Sequence, residues 1–185
     1  MKTEPLPMDE QIARAFIAHV RALLAQDYLP RLERCLVALD ETDVWWRANA
    51  ESNSIGNLLL HLAGNARQWI VSGVGGAPDM RVRDSEFAAT DKDELTKAEL
   101  LARLRATLKE VDQVLARLDT ATLLDERTIQ NCTGVTILEA VFHVVEHFSM
   151  HTGQIILLTK LRTVRDLVLY DFTDSIPRKT WGKEQ

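Results

Sequence analysis

The stretch His143-Val144-Val145-Glu146-His147-Phe148-Ser149-Met150-His151-Thr152-Gly153-Gln154 places three histidines at a spacing of four in one apolar run. On an α-helix, residues four apart are separated by about 40° around the axis and about 6 Å along it, so the three imidazoles share a face. Two histidines at that spacing can grip one ion, and imidazole is a common ligand for zinc, nickel and iron. A fourth histidine, His61, stands in a second apolar run, Leu58-Leu59-Leu60-His61-Leu62. The chain has five histidines, so four fall in these two segments.

Outward from these runs the pattern is helical. Residues 9–40 carry Ile12, Phe16, Val20, Leu23, Leu24, Leu32, Leu36 and Leu39 at helical spacing, and Pro30 should kink or split this first helix. Trp45-Trp46 follow in a loop, and Ser54 is an N-cap for a second helix reaching about Ser72. Gly73 to Pro78 ends it. A loop of roughly twenty residues, 74–95, is longer than the usual helix–helix connection and can cross one end of a bundle. Thr96-Lys97-Ala98-Glu99 is a capping box opening a third helix with the stripe Leu101, Leu104, Leu108, Val111, Leu115 and Leu118. Thr136-Ile137-Leu138-Glu139 opens the fourth, which runs to about Arg162. The C-terminal extension, 163–185, holds Leu167-Val168-Leu169-Tyr170 and Trp181, too apolar for a purely solvated tail. The fold class is therefore all-α: one four-helix bundle domain over 1–185, with a long crossover loop between helices two and three.

Helices one and three have wet faces of Lys, Arg, Glu and Asp. Helices two and four have narrow polar stripes instead: Asn57, His61, Asn65 and Gln68 on one, and Glu139, His143, Glu146, His147, His151 and Gln154 on the other. A solvent-facing stripe is usually rich in lysine and arginine, and neither stripe contains a lysine, so both should face a cleft. Bland readings suffice for several residues. His19 is a surface or core residue, Glu139 belongs to its capping box, and Glu146 is a solvated charge. Gly56, Ala63, Gly64 and Ala66 allow close approach of helices, and Cys132 is a buried inert thiol. His143-Val144-Val145-Glu146-His147 also matches the H-x-x-E-H pattern of inverted zinc proteases. That chemistry normally sits in a larger α+β domain, and the competing set is His147 and His151 with His61.

Composition bounds the partners. With 46% hydrophobic and 26% charged residues the chain is an ordinary globular protein. A net charge of −5 argues against nucleic acid or an anionic membrane. No run of about 18 apolar residues and no signal-peptide h-region are present, which points to the cytoplasm. Cys35 and Cys132 then read as reduced thiols, and without a C-x-x-C they make no zinc site.

Three stretches in order resemble the DinB/YfiT-like superfamily of four-helix-bundle metalloenzymes, most closely an uncharacterised branch. They are Asp27-Tyr28-Leu29-Pro30-Arg31-Leu32, the run from Asn53-Ser54-Ile55-Gly56-Asn57 through Gly64-Asn65 to Gln68-Trp69, and His143 through Gln154. The match covers most of residues 8–172. The resemblance implies one divalent ion, zinc or nickel, held by His61, His147 and His151 with an open position. It leaves His143 for proton transfer or indirect support, and Asn57 and Asn65 to orient ligand or substrate. Characterised relatives include thiol S-transferases and a maleylpyruvate isomerase that use low-molecular-weight thiols. This chain has no room for the isomerase's additional C-terminal domain and shows no basic pocket naming a thiol. Kinship thus implies a metal-dependent transferase acting on a small molecule with a thiol. A metal-assisted hydrolase and a non-catalytic metal or small-molecule binding protein are the alternatives. A homodimer is expected from Trp45, Trp46, Trp181 and the 167–170 strip, with the C-terminal segment as the contact.

Overall fold

In the computed structural model, which describes residues 6–93, 95–173 and 175–181, the chain is all-α with two small hairpins. Its helices are α1 (Met8–Ala22), α2 (Leu29–Ala38), α3 (Ile55–Ala66), α4 (Arg83–Ala88), α5 (Lys97–Arg117) and α6 (Ile137–Thr163). Two π-helical turns, Leu23–Tyr28 and Arg67–Val74, join α1 to α2 and extend α3. Strands β1 (Glu126–Ile129) and β2 (Cys132–Thr136) form one antiparallel hairpin, and β3 (Tyr170–Asp171) and β4 (Arg178–Lys179) form another.

All three helix starts read from capping residues are present. Ser54, Thr96 and Thr136 each accept the backbone N–H three residues on, and Asn57, Glu99 and Glu139 reach back to the cap. Each box satisfies two otherwise orphaned donors. α3 lies against α5 and α6, and α2 lies against α6. Leu32, Leu62, Leu104, Phe148 and Ile155 are fully buried in the single core between them. Two details of the apolar stripes differ. Ile17 rather than Ile12 faces inward on α1, and Leu100 is more deeply buried than Leu101 on α5, because neighbouring apolar positions leave the stripe's centre ambiguous by one residue.

Next to Pro30 the α-helical run is interrupted, α1 passing through a π turn into α2. The π turn over Leu23–Tyr28 widens the backbone just before the proline, which accommodates a ring that would clash with the preceding turn. Proline also leaves the carbonyl of Gln26 without its α-helical N–H. The indole of Trp181 donates to that carbonyl at 3.1 Å. Around this contact the C-terminal segment is clasped to the helix. Arg31 donates to the Tyr170 hydroxyl at 2.9 Å and its guanidinium lies 4.6 Å from the Trp181 ring; Lys179 pairs with buried Asp27. Arg34 donates to Thr180 Oγ1 at 2.6 Å.

Leu167 and Trp181, counted above as surplus apolar surface, are therefore buried within the chain. Trp45 also packs inward, over Gly56 with its indole N–H on the Leu95 carbonyl. Cys132 is exposed on β2, a correction to its reading as a buried thiol; Cys35 is the buried one, and burial pushes its thiol up to about 11. Among the described residues no helix is long and apolar enough to cross a membrane.

The proline–tryptophan contact is testable. Trp181→Phe keeps an aromatic ring and removes the donor, and should cost about 1–3 kcal/mol of unfolding free energy in urea. An unchanged midpoint would show that the Gln26 carbonyl does not need the indole.

Candidate metal centre

The polar stripe of α3 is buried. Asn57, His61 and Asn65 are at most 5% exposed, so each needs partners from elsewhere in the chain. His61 Nδ1 lies 2.9 Å from Glu86 Oε2 on α4. The same Nδ1 lies 3.0 Å from Arg81 Nη2, which already donates to Glu86 Oε2; with the carboxylate as acceptor the proton is assigned to Nδ1 and the Nε2 lone pair is left free. That Nε2 lies 2.8 Å from His147 Nε2 on α6. One turn on, His151 Nδ1 lies 2.7 Å from Gln154 Oε1, so its proton is likewise fixed there. Its Nε2 is buried with no hydrogen-bond partner.

One ring nitrogen from each of His61, His147 and His151 lies within 4.8 Å of the others. Zinc–nitrogen bonds of about 2.0–2.1 Å set ligand nitrogens about 3.4 Å apart in a tetrahedron, so small ring rotations close the set on an ion. The donor chemistry fits. Three neutral imidazoles, each with a lone pair available to face the others, are ligands for zinc, nickel, copper or iron and leave further positions open.

Burial lowers the pKa of His147 to about 3, with the neighbouring His151, His61 and His143 and the Arg81 charge adding to the effect. Burial also lowers His143 and His151. The centre thus resists protonation and keeps lone pairs for a cation. Burial opposes ionisation of Glu86, but hydrogen bonds from Arg81 and His61 outweigh it and hold the carboxyl below its usual range.

His143 stands outside the triad. Its Nε2 is 3.2 Å from Asn65 Nδ2 and its ring lies 4.0 Å from that of Trp69. Trp69 in turn donates to Gln130 Oε1 at the tip of the β1–β2 hairpin. Glu146 faces solvent, so the H-x-x-E-H residues do not converge as a unit. Asn57 is fully buried and turned to another task. Its Oδ1 accepts from the Ser54 backbone and from Arg47, and its Nδ2 donates to the carbonyls of Glu86 and Ala89.

The segment between α3 and α5, expected as a plain crossover loop over 74–95, instead contains a short helix. That helix, α4, carries Glu86 into contact with His61, and Phe87 packs on the same ring at 4.7 Å. Arg81 grips both Glu86 oxygens. The one available signal was Phe87, a lone aromatic in a polar stretch. On the outer side of this pair lies a cavity of about 350 Å³, lined by Arg67, Gln68, Asp79 and Arg103 among others but by none of the three histidines.

Residues 11–177 match the family model described as "Protein of unknown function (DUF1572)". The chain belongs to the DUF1572 family. No curated protein matches it. In this DUF1572 chain the run from Ser54 to Trp69 is accounted for residue by residue. Ser54 caps, Gly56 admits Trp45, Asn57 holds the α4 segment, His61 faces the triad, Asn65 and Trp69 hold His143, and Gln68 accepts from Arg81 at 2.8 Å.

Neutral buried imidazoles make stability depend on pH. The unfolded chain takes up protons near the ordinary histidine value of 6.5 while the native centre does not. The unfolded state then binds more protons, so the stability of the metal-free protein falls as pH drops below that value. For His147 the loss continues towards pH 3. The melting temperature should be lower at about pH 5 than at about pH 7, with a shallower dependence in His147→Ala; equal slopes would count against the assignment.

Proposed function

We propose that this DUF1572 chain is a divalent-metal-dependent enzyme whose helices form a four-helix bundle of the DinB/YfiT-like type. The convergence of His61, His147 and His151 from two apolar helices carries the reading. Support for the bundle comes from the packing of α3 against α5 and α6 and of α2 against α6 around one core. The chemistry assigned is transfer of a small thiol, on the resemblance described above. The bound ion, zinc or nickel, would supply Lewis acidity that lowers the pKa of a group reaching the open position.

The chain's own residues do the rest. His61, His147 and His151 hold the ion. His143, half-buried and kept neutral by its surroundings, accepts or returns a proton at the rim, and Asn65 orients both that ring and the substrate. Trp69, its ring tilted 32° against that of His143, gives the cleft an aromatic wall. A metal-assisted hydrolase is the second reading, favoured by the same half-buried His143, because a base of that kind serves water as well as a thiol. A binding protein without catalysis is the third. We assign a small-molecule substrate and a cytoplasmic setting; the net charge of −5 supports a partner other than nucleic acid or an anionic membrane.

Metal analysis of single variants tests the centre. His61→Ala, His147→Ala and His151→Ala should each lose zinc and nickel while keeping helical circular dichroism, because the apolar core is independent of these rings. His143→Ala should keep the ion and lose about 10²–10⁴-fold in turnover, in assays of thiol conjugation run beside ester and amide hydrolysis. Full occupancy in His151→Ala, or loss of the fold in His61→Ala, would overturn the assignment.

Homodimerisation is proposed through α6, beside the C-terminal segment expected from the sequence, which exposes Val168, Phe172 and Ile176. The outward face of α6 exposes Leu138, Phe142, Met150, Leu157 and Leu161, whereas Leu167 and Trp181 are covered. Light scattering at tens of micromolar should give a dimer mass for the wild type and a monomer mass for Phe142→Glu combined with Leu157→Glu. A monomeric wild type removes the proposal.

A further inference from the structure

We infer that Glu86, clamped by Arg81, is the positioning residue of the metal centre, orienting His61 and strengthening it as a ligand. The inference rests on the proposed metal site. His61 Nδ1 lies 2.9 Å from Glu86 Oε2 and 3.0 Å from Arg81 Nη2, on the ring edge opposite the Nε2 that faces His147, and the tautomer protonated at Nδ1 donates to the carboxylate. A carboxylate at that edge fixes the tautomer and ring angle and makes the remaining nitrogen a better donor to a cation. Among the described residues neither His147 nor His151 has such a partner; His151 has the neutral amide of Gln154.

Arg81 prevents Glu86 from doing anything else. Its Nε donates to Oε1 at 2.8 Å and its Nη2 to Oε2 at 2.9 Å, a two-pronged grip that holds the carboxylate plane. Both side chains are less than a tenth exposed. Taking such a pair out of water is costly, and as a tie between α4 and α3 it offers nothing that apolar packing would not supply more stably. Its placement on the one α3 histidine that faces the cluster gives it a purpose.

The surrounding residues are arranged for the same end. A Cβ on Gly64 would lie 2.0 Å from Glu86 Oε1 and 2.9 Å from its carboxyl carbon, so any side chain there evicts the carboxylate. Asn57 Nδ2 holds the Glu86 carbonyl at 2.9 Å and the Ala89 carbonyl at 2.8 Å, which fixes α4 against α3. Gln68 accepts from Arg81 Nη1 at 2.8 Å. Asn57 and Gly64 on α3 and Gln68 on its π-helical extension therefore serve the delivery of one carboxylate to the His61 ring.

The test compares the wild type with Glu86→Gln and Gly64→Ala. Zinc and cobalt(II) affinities are measured by competition with a chromophoric chelator, and the visible ligand-field bands of the cobalt(II) form are recorded. Both variants should bind each ion about 10–100-fold more weakly, with shifted cobalt bands and unchanged helical circular dichroism. Gly64→Ala leaves every donor group in place, so its loss reads displacement of the carboxylate together with the Arg81 guanidinium that clamps it. Wild-type affinity and bands in Glu86→Gln overturn the inference and leave the metal site standing. A wild type that binds neither ion overturns the metal site and this inference with it. Should Glu86→Gln not fold, Gly64→Ala decides by the same readings. Failure of both to fold without metal makes Glu86 a structural tie and also overturns the inference.

Discussion

Three polar side chains on α3, Asn57, His61 and Asn65, are sealed from water, and a buried polar group without a partner costs more than most single contacts contribute. That constraint organises the molecule. Asn57 draws in the carbonyls of Glu86 and Ala89, His61 draws in the Glu86 carboxylate, Asn65 draws in His143, and Gln68 draws in Arg81. The partners come from α4, its preceding loop and α6, so satisfying one helix fixes the path of the crossover segment and the rotation of the last long helix. Any rotation of α6 that moved His147 off His61 would also move His143 off Asn65. The fold and the histidine cluster are thus one solution to one hydrogen-bonding problem.

The opposite end of the first helix obeys the same rule by a different route. Pro30 frees a carbonyl, the π turn relieves the ring, and a residue 155 positions away donates to the freed oxygen. Asp27, Tyr28, Pro30 and Arg31 make sense together only with the C-terminal segment in view. Asp27 meets Lys179, Arg31 meets Tyr170 and Trp181, and Tyr28 packs near Phe148 in the core. A motif that reads as a helix with a flaw is a docking site for the chain's own C-terminal hairpin.

This contrast explains what was legible. Helix starts were readable because Ser54, Thr96 and Thr136 act within four residues of sequence, and the triad was readable because His147 and His151 share one helical face. The β1–β2 hairpin was not, since its turn uses Gln130 and Asn131 at positive φ instead of the glycine pair that signals such turns. Nor was Glu86, whose meaning depends on Gly64, Arg81 and His61 meeting across three elements. Gly64 did carry the right signal, close approach, but the approaching group is a carboxylate and not a helix. Cys132 misread for a related reason: a lone cysteine ahead of a helix gives no sign that it lies on an exposed strand.

The state of the three imidazoles follows from these contacts. With Nδ1–H of His61 given to Glu86, its Nε2 must accept, and in the metal-free chain the Nε2–H of His147 fills it at 2.8 Å. His151 Nε2 has nothing to fill it. A proton on this cluster would satisfy at most one more lone pair, and it would place a charge beside Arg81 and two other imidazoles in a site that burial already makes hostile to it. A divalent cation meets the same desolvation but is repaid by three nitrogen donors at once, one of them strengthened by a buried carboxylate. The arrangement that drives protons out is therefore the arrangement that favours a metal ion, because the two differ in how many lone pairs a single charge can engage.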